Sequence, residues 1–145
     1  MLRLVPPIHR ATHRIGLYLA DLKRHGLSQG EAHILARLAR SSPATVGDLH
    51  TDLAHKRSTL TSILDRLVER GLVTRQAGVA DRRTFVIDTT AKGQRVAADV
   101  RRHLAALEAA VSRQVTAAEI NAFLKVLAAV EEEARRATLA APTRR

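Results

Sequence analysis

One stretch, residues 45–90, constrains the fold most, because its pattern predicts two short helices followed by a two-stranded β-ribbon. The second helix is predicted to run from about Lys56 to Arg70, with Gly71 as a left-handed C-cap. Its apolar residues recur at helical spacing and are expected to face inward: Leu60, Ile63, Leu64, Leu67 and Val68. The residues near its start are then expected to form a basic and hydroxyl-rich outer surface: Lys56, Arg57, Ser58, Thr59, Thr61 and Ser62. Such side chains suit phosphates and base edges.

The ribbon is predicted from two β-favouring runs, residues 72–75 and 84–87, joined by a loop that contains Gly78. Asp81, Arg82 and Arg83 lie at the tip of this loop, and Arg75 ends the first run. Packing does not explain a basic tip beside a basic helix start. The two features together indicate an anionic partner.

Two helix starts are marked by capping boxes. Ser28 with Glu31, and Thr45 with Asp48, both have the required spacing. An earlier apolar stripe begins near residue 8 and predicts a first helix that is expected to end at Gly26.

Two long helices are predicted after the ribbon. Thr90 can cap a helix that runs to about Gln114, and Thr116 can cap a final helix. The apolar stripe of the final helix contains Ile120, Phe123, Leu124, Leu127 and Val130. Such stripes need cover, so we expect the first and the last two helices to pack together or against a second chain.

Composition narrows the class of protein. The chain has 145 residues, which fits one folded unit. Its net charge of +10 is compatible with binding to nucleic acid, with binding to an anionic membrane surface, or with a basic protein that has no specific anionic partner. Only 2% of the residues are aromatic, which favours duplex over single-stranded nucleic acid because single strands are bound by stacking on rings. The chain has no cysteine, no signal-peptide pattern and no apolar run long enough to span a bilayer, so we expect a cytoplasmic protein without a membrane role.

Other chemistry is less well supported by the sequence. His9 and His13 lie one helical turn apart and could bind zinc, but no further ligand is evident, and we expect no metal and no cofactor. No spacing resembles a nucleophile elbow or a phosphate-binding loop, so we do not expect an enzyme. Arg66 and Arg70 lie within helical reach of Glu69 or Asp65, which predicts ordinary solvated ion pairs.

The order of these elements resembles the MarR family of winged helix-turn-helix transcriptional regulators. The most specific similarity runs from Arg57 to Gly93: a recognition-like helix, its Gly71-Leu72-Val73 exit, the Asp-x-Arg wing tip at residues 81–83, and the Thr-x-x-Gly start at residues 90–93. Two positions depart from the family pattern. Thr89 stands where the family usually has leucine, and the wing loop at residues 76–80 is weakly basic.

The resemblance implies a mainly α-helical fold with a small β-hairpin wing. It implies an N-terminal dimerisation helix at residues 1–27, a winged helix-turn-helix region at residues 28–90, C-terminal dimerisation helices at residues 91–139 and a flexible tail at residues 140–145. It also implies a homodimer that binds a pseudo-palindromic operator in double-stranded DNA, and acts as a repressor relieved by a ligand.

The resemblance also assigns roles to residues. Arg57 would bind a guanine edge and Thr61 a thymine or adenine, while Lys56, Ser58, Thr59 and Ser62 would hold phosphates. For Ser58 and Thr59, helix capping is nearly as good an interpretation. In the wing, Arg83 would enter the minor groove and Asp81 would orient it, with Arg75 and Arg82 adding phosphate contacts.

A small anionic or phenolic ligand is a further implied partner. The resemblance places its crevice between the dimer helices and the winged region, with His13, Leu17, Tyr18 and His33 as lining residues, although Leu17 and Tyr18 also fit an ordinary dimer core. Two alternatives to the regulator remain: a winged-helix module for protein interaction, and a nonspecific architectural DNA-binding protein.

Overall fold

The computed structural model describes residues 2–20, 22 and 25–140. It has six helices and three strands within these residues, in the order α1 (Val5–Ala20), α2 (Gln29–Arg40), β1 (Ala44–Thr45), α3 (Val46–Leu53), α4 (Arg57–Glu69), β2 (Val73–Ala77), β3 (Phe85–Thr89), α5 (Ala91–Ser112) and α6 (Ala117–Ala140). The predicted fold class, mainly α with a small β wing, is confirmed. By its internal contacts the chain forms two compact units, residues 1–105 and 106–145.

Capping boxes begin α2 and α3, as the sequence predicts. The Ser28 hydroxyl accepts from the Glu31 N–H at 3.2 Å, and the Glu31 carboxylate accepts from the Ser28 N–H at 2.8 Å. Thr45 and Asp48 make the same reciprocal pair at 3.0 Å in both directions. These caps satisfy backbone N–H groups that have no partner inside their own helix.

The core of the first unit lies under α4. Leu60, Leu64 and Leu67 of this helix are at most 1% exposed, and they belong to one cluster with buried residues of α1, α2, α3, α5 and the three strands. The remaining large core side chains are Leu19, Ile34, Leu35, Leu38, Leu49, Leu72, Ile87 and Val100. The inward position predicted for Val68 is wrong, since this residue is 39% exposed. At about 100° per residue, Val68 lies at the edge of the apolar stripe.

The wing is a three-stranded antiparallel sheet of order β1-β3-β2, so the predicted two-stranded ribbon is incomplete. β2 pairs with β3 from Val73 opposite Thr89 to Ala77 opposite Phe85. The added strand β1 pairs Ala44 with Ile87. Two residues are too few to show strand periodicity in sequence, and their partner lies more than 40 positions away, which is why the sequence did not reveal β1.

The start of α5 is joined to the end of α4 and the base of the wing. Thr90 caps α5 as predicted, because its hydroxyl accepts from the Gly93 N–H at 2.9 Å and donates to the Gly71 carbonyl at 2.7 Å. Gly93 lies directly against the Leu72 carbonyl. The helix ends at Ser112, close to the expected Gln114.

The first helix ends earlier than its apolar pattern predicts. α1 stops at Ala20 rather than near Gly26, and the Leu22 and His25 N–H groups form turns back to Leu19 and Leu22. Residues 21, 23 and 24, which the prediction included, lie outside the described residues. Gly26 has a φ of +56°, which glycine adopts without strain.

In the second unit, α6 presents its apolar residues outward. Thr116 caps the helix: its N–H donates to the Glu119 carboxylate at 2.8 Å, and its hydroxyl accepts from the Glu119 N–H at 3.3 Å. Phe123 and Leu124 are 55% and 52% exposed, and no described side chain of α6 is buried. Of the predicted tail at residues 140–145, Ala140 is the last residue of α6, and residues 141–145 lie outside the described residues. Within the described part of the chain, no helix is long and apolar enough to cross a membrane.

Candidate nucleic-acid interface

The first turn of α4 is open to solvent and electrostatically positive. Lys56 is the N-cap and makes no side-chain cap, so the backbone N–H groups of Arg57, Ser58 and Thr59 have no acceptor among the described residues. The side chains of these residues and of Thr61 are exposed, also without a hydrogen-bond partner in the described part of the chain. The capping interpretation of Ser58 and Thr59 is wrong, since both follow the cap. Free N–H groups at a helix start carry partial positive charge and attract anions.

A buried carboxylate holds the other end of α4. Glu31 is 3% exposed, and its two oxygens contact Arg66 Nε at 3.3 Å and Arg70 Nη1 at 3.0 Å. Arg70 also donates to the carbonyls of His25 and Gly26. The predicted pairs with Glu69 and Asp65 are therefore wrong. Both arginines pair with Glu31 of α2, which lies 35 positions from Arg66 and 39 from Arg70 in the sequence. Spacing within one helix cannot indicate a partner at that distance.

Two shallow cavities flank the exposed side of α4. One, of about 340 Å³, brings Arg57 and Thr61 together with His50 and Thr51 of α3. The other, of about 420 Å³, brings Ser58, Thr59 and Ser62 together with Ser28, Gly30 and Arg66. Sequence reasoning missed His50 and Thr51. The only available signal was their place on the polar side of α3, opposite the buried Leu49.

The turn into α4 contains His55, which interacts with His33 of α2. Ala54 takes a left-handed conformation with φ of 51° and redirects the chain between α3 and α4. His33 of α2 is half-buried, and this burial lowers its pKa below the ordinary value of 6.5; the nearby charge of His55 lowers it further. The His55 Nε2 atom is buried and has no hydrogen-bond partner among the described residues. His33 is therefore harder to protonate in the folded state than a free histidine.

The wing tip is ordered by hydrogen bonds within its own loop. The Asp81 carboxylate accepts from the Arg83 N–H at 2.9 Å, and the Gly78 N–H donates to the Thr84 carbonyl at 2.7 Å. A Cβ on Gly78 would lie 2.8 Å from the Asp81 carbonyl oxygen, so this turn requires glycine. The side chains of Arg82 and Arg83 are exposed and have no acidic partner among the described residues. Asp81 thus fixes the loop that carries Arg83, and not the Arg83 guanidinium itself.

Arg75 is engaged inside the protein. Its Nη1 atom is 3.3 Å from the Asp65 carboxylate on α4, and its guanidinium lies 4.4 Å from the centre of the Phe85 ring on β3. These contacts join the wing to the recognition-like helix. The phosphate contact of Arg75 stays a prediction, and it would require the guanidinium to leave or share Asp65.

The four residues predicted to line a ligand crevice, His13, Leu17, Tyr18 and His33, lie in different surroundings. Tyr18 stacks on His103 of α5 at 3.9 Å between ring centres, and its hydroxyl donates to the His103 carbonyl at 3.0 Å. Leu17 and His13 are exposed, and His33 lies near His55. The crevice that these four residues would line stays a prediction. Across residues 2–20, 22 and 25–140, no three His, Asp or Glu side chains are arranged to hold a metal ion.

Comparison with known proteins shows which family and which solved structures this chain is similar to. Residues 27–85 match the model of the MarR family. A MarR family transcriptional regulator from Listeria monocytogenes, solved in complex with a 26mer DNA, has a TM-score of 0.76 at 24% identity, over 92% of this chain and 87% of that one. S. aureus MepR in its DNA-binding conformation has a TM-score of 0.82 at 16% identity, over 91% and 98%.

A MarR transcriptional regulator from Methanosarcina mazei Go1 is similar as well, with a TM-score of 0.72 at 20% identity, over 91% of this chain and 96% of that one. Comparison with the curated proteins gave no match. The family match covers α2, the helix-turn-helix and most of the wing, and the fold extends the similarity to the outer helices. Residues 27–85 thus match the MarR family of transcriptional regulators, and the chain has the winged helix-turn-helix fold of the solved structures from that family.

Proposed function

We propose that this protein is a sequence-specific, double-stranded DNA-binding transcriptional regulator. In this proposal a homodimer binds a pseudo-palindromic operator and represses transcription until a small ligand releases it. Two relatives of the same fold support the DNA-binding part, since one was solved with a 26mer DNA and the other in a DNA-binding conformation.

The single observation that carries the proposal is the free surface at the start of α4. Arg57 and Thr61 are exposed, unpaired and adjacent in one groove, at a helix end whose N–H groups are also free. An exposed Arg fork can donate two hydrogen bonds to the edge of one guanine in the major groove. A helix start with free N–H groups can bind the backbone phosphate beside it. The same surface therefore supplies both base contacts and phosphate contacts.

The wing supports a second contact in the same complex. Its tip is stiffened by the Gly78–Thr84 and Asp81–Arg83 hydrogen bonds, and it holds Arg82 and Arg83 without an acidic neighbour. Arginines that enter a narrow minor groove gain from its strongly negative potential. Because Arg75 connects the wing to Asp65 of α4, the wing and the recognition helix can engage one duplex in a fixed register.

The apolar surfaces of the outer helices support a homodimer. Phe123 and Leu124 of α6 are more than half exposed, and Ile15 and Leu17 of α1 are 38% and 54% exposed. A single exposed apolar residue needs no explanation, but several on the same helices indicate a protein interface. A twofold dimer would place two α4 helices on successive major grooves, about 34–36 Å apart or at a multiple of that distance.

Selection of bound fragments from random duplex DNA tests the proposal. The winning duplex and a scrambled version are then titrated by fluorescence anisotropy at two salt concentrations. We expect an enriched inverted repeat, and affinity for it that exceeds affinity for the scrambled duplex by about 10³-fold or more.

The alternatives give different results in the same experiment. A nonspecific architectural protein would bind both duplexes equally, with affinity that falls steeply as salt rises. A protein-interaction module would bind neither duplex. Either result would contradict the proposed function.

A further inference from the structure

The side chain of Arg66 lies at the exposed edge of a buried ion-pair cluster. Glu31 of α2 is 3% exposed, and its carboxylate accepts from Arg66 Nε at 3.3 Å and from Arg70 Nη1 at 3.0 Å. The same carboxylate accepts from the Ser28 N–H at 2.8 Å. Two guanidinium groups and one carboxylate leave a net positive charge on these three side chains. The surplus charge lies on the arginines, outside the buried carboxylate.

The two arginines of the cluster differ in the donors that remain free. Arg70 donates to Glu31 and to the backbone carbonyls of residues 25 and 26, and its side chain is 34% exposed. Arg66 donates from Nη1 to the Ser62 hydroxyl at 3.2 Å, and its Nη2 group has no partner among the described residues. Its side chain is 48% exposed. Arg66 can therefore donate to an anion, whereas Arg70 is used inside the protein.

Arg66 lines the shallow cavity of about 420 Å³ beside α4, and the other polar side chains there are hydroxyls. These hydroxyls belong to Ser28, Ser58, Thr59 and Ser62. Among the described residues no acidic side chain lines the cavity, and Arg70 does not line it either. A guanidinium surrounded by hydroxyl donors suits a phosphate group, which accepts hydrogen bonds from both.

Close packing of α2 against α4 fixes this arrangement. A Cβ on Gly30 would lie 2.5 Å from Cδ1 of Ile63, which is only 5% exposed, so glycine allows the two helices to approach. Glu31, the next residue, then reaches Arg66 across the contact. A side chain held in this way has already lost rotamer freedom, so it loses less on binding than an unrestrained arginine does. Glu31 thus preorganises Arg66.

From this arrangement we infer that Arg66 binds a phosphate of the DNA backbone in this cavity, and that Glu31 is its positioning residue. Ser58, Ser62 and Arg66 follow at intervals of four residues, so they form one row along α4. The row begins in the first turn, beside Arg57, and Arg66 lies about 12 Å further along the helix. The contact needs the duplex binding of the proposed function, but not its sequence specificity.

Anisotropy titrations of the full chain test this contact with the most enriched duplex from the selection, its scrambled version and a series of salt concentrations. Arg66→Gln is expected to weaken binding to both duplexes by about tenfold, and to reduce the slope of log affinity against log salt by about 1. The ratio of the two affinities should not change, because a phosphate contact carries no sequence information. Circular dichroism verifies that every variant is folded.

Arg70→Gln is the matched control. It removes the same charge from the same helix and from the same carboxylate, but Arg70 does not line the cavity. We expect its salt slope to stay near that of the parent chain, and its affinity to change by less than about threefold. Arg95→Gln on α5 is a second control, which preserves the comparison if Arg70→Gln does not fold. Arg95 is exposed and lies outside the ion-pair cluster.

A double-mutant cycle tests the role of Glu31. Removal of its negative charge would by itself attract DNA more strongly, whereas loss of the positioning contact should weaken binding. We expect Glu31→Gln to weaken duplex binding by about threefold or more in the parent chain, and to have no further effect in the Arg66→Gln chain. A loss of equal size in both chains would mean that Glu31 acts on the fold and not through Arg66.

Four results would overturn the inference: parent-like affinity and salt slope in Arg66→Gln, equal losses in Arg66→Gln and Arg70→Gln, tighter binding by Glu31→Gln, or binding of neither duplex by the parent chain. Equal binding of the enriched and scrambled duplexes by the parent chain would contradict only the proposed function, because the comparison of variants would still be valid. The two failures are therefore distinguishable.

Discussion

Replacing Gly93 with alanine should destabilise the fold more than any other small change in the wing region. A Cβ at this position would lie 2.8 Å from the Leu72 carbonyl carbon and closer still to its oxygen, inside the 3.0 Å that real Cβ contacts keep. The obstacle is backbone, so no side-chain rotation can relieve it. Leu72 is 2% exposed, and its carbonyl accepts from the Thr90 N–H at 3.1 Å. Movement of this carbonyl would therefore disturb the joint between α4, β2 and α5.

The expected loss is about 2–4 kcal/mol in the free energy of unfolding. Forcing an extra carbon into a packed site costs about 1–3 kcal/mol, and weakening the Thr90 hydrogen bonds to Leu72 adds about 0.5–1.5 kcal/mol for each bond. The better helix propensity of alanine returns at most about 1 kcal/mol.

Urea unfolding followed by circular dichroism measures this loss, and Gly47→Ala in α3 is the matched control. A Cβ on Gly47 would meet only Thr45 Oγ1 at 3.6 Å, so the control should be neutral or stabilise by up to about 1 kcal/mol. The reasoning is refuted if Gly93→Ala and Gly47→Ala unfold at the same urea concentration.

Three further outcomes are expected. Arg83→Ala should weaken DNA binding to all sequences alike and reduce the slope of log affinity against log salt by about 1, measured by anisotropy; an unchanged slope would contradict the contact of Arg83 with DNA. Phe123→Glu should shift a micromolar dimer toward monomer in sedimentation velocity, whereas a monomeric parent chain would contradict the homodimer. The free energy of unfolding should fall as pH decreases through about 6.5, because the lowered pKa of folded His33 lets the unfolded state bind the proton more readily, and His33→Gln should flatten this dependence; identical pH profiles would contradict it.

Local sequence signals predicted the helix starts well. The reciprocal hydrogen bonds of Ser28 with Glu31 and of Thr45 with Asp48 form within four residues, so residue type and spacing were sufficient. The buried positions of Leu60, Ile63, Leu64 and Leu67 followed from helical periodicity in the same way. Once the inward side of α4 is known, helical geometry also fixes its outward side, which is why the pattern predicts exposed positions for Arg57 and Thr61.

Nonlocal contacts were beyond the sequence pattern. Arg66 and Arg70 of α4 pair with the buried Glu31 carboxylate of α2. Asp65, which is closer to both arginines in the sequence, pairs with Arg75 instead. β1 exists because Ala44 can pair with the edge of β3, and its two residues carry no periodicity. A cavity at the C-terminal end of α2 is lined by both Arg40 and Arg101, which lie 61 positions apart in the chain. Each of these depends on how elements pack, and spacing along the chain does not encode it.

The central claim is that the start of α4 reads duplex DNA, and a comparison of two arginine variants tests it most directly. Arg57→Ala and Arg95→Ala remove the same charge from exposed helical positions, but only Arg57 lies in the groove beside Thr61. In anisotropy titrations with the selected operator, Arg57→Ala should lose about 1–3 kcal/mol of binding free energy, and Arg95→Ala should change little. The loss should disappear when the base that Arg57 contacts is replaced in the operator. Equal affinities of both variants and the parent chain for that operator would contradict the claim.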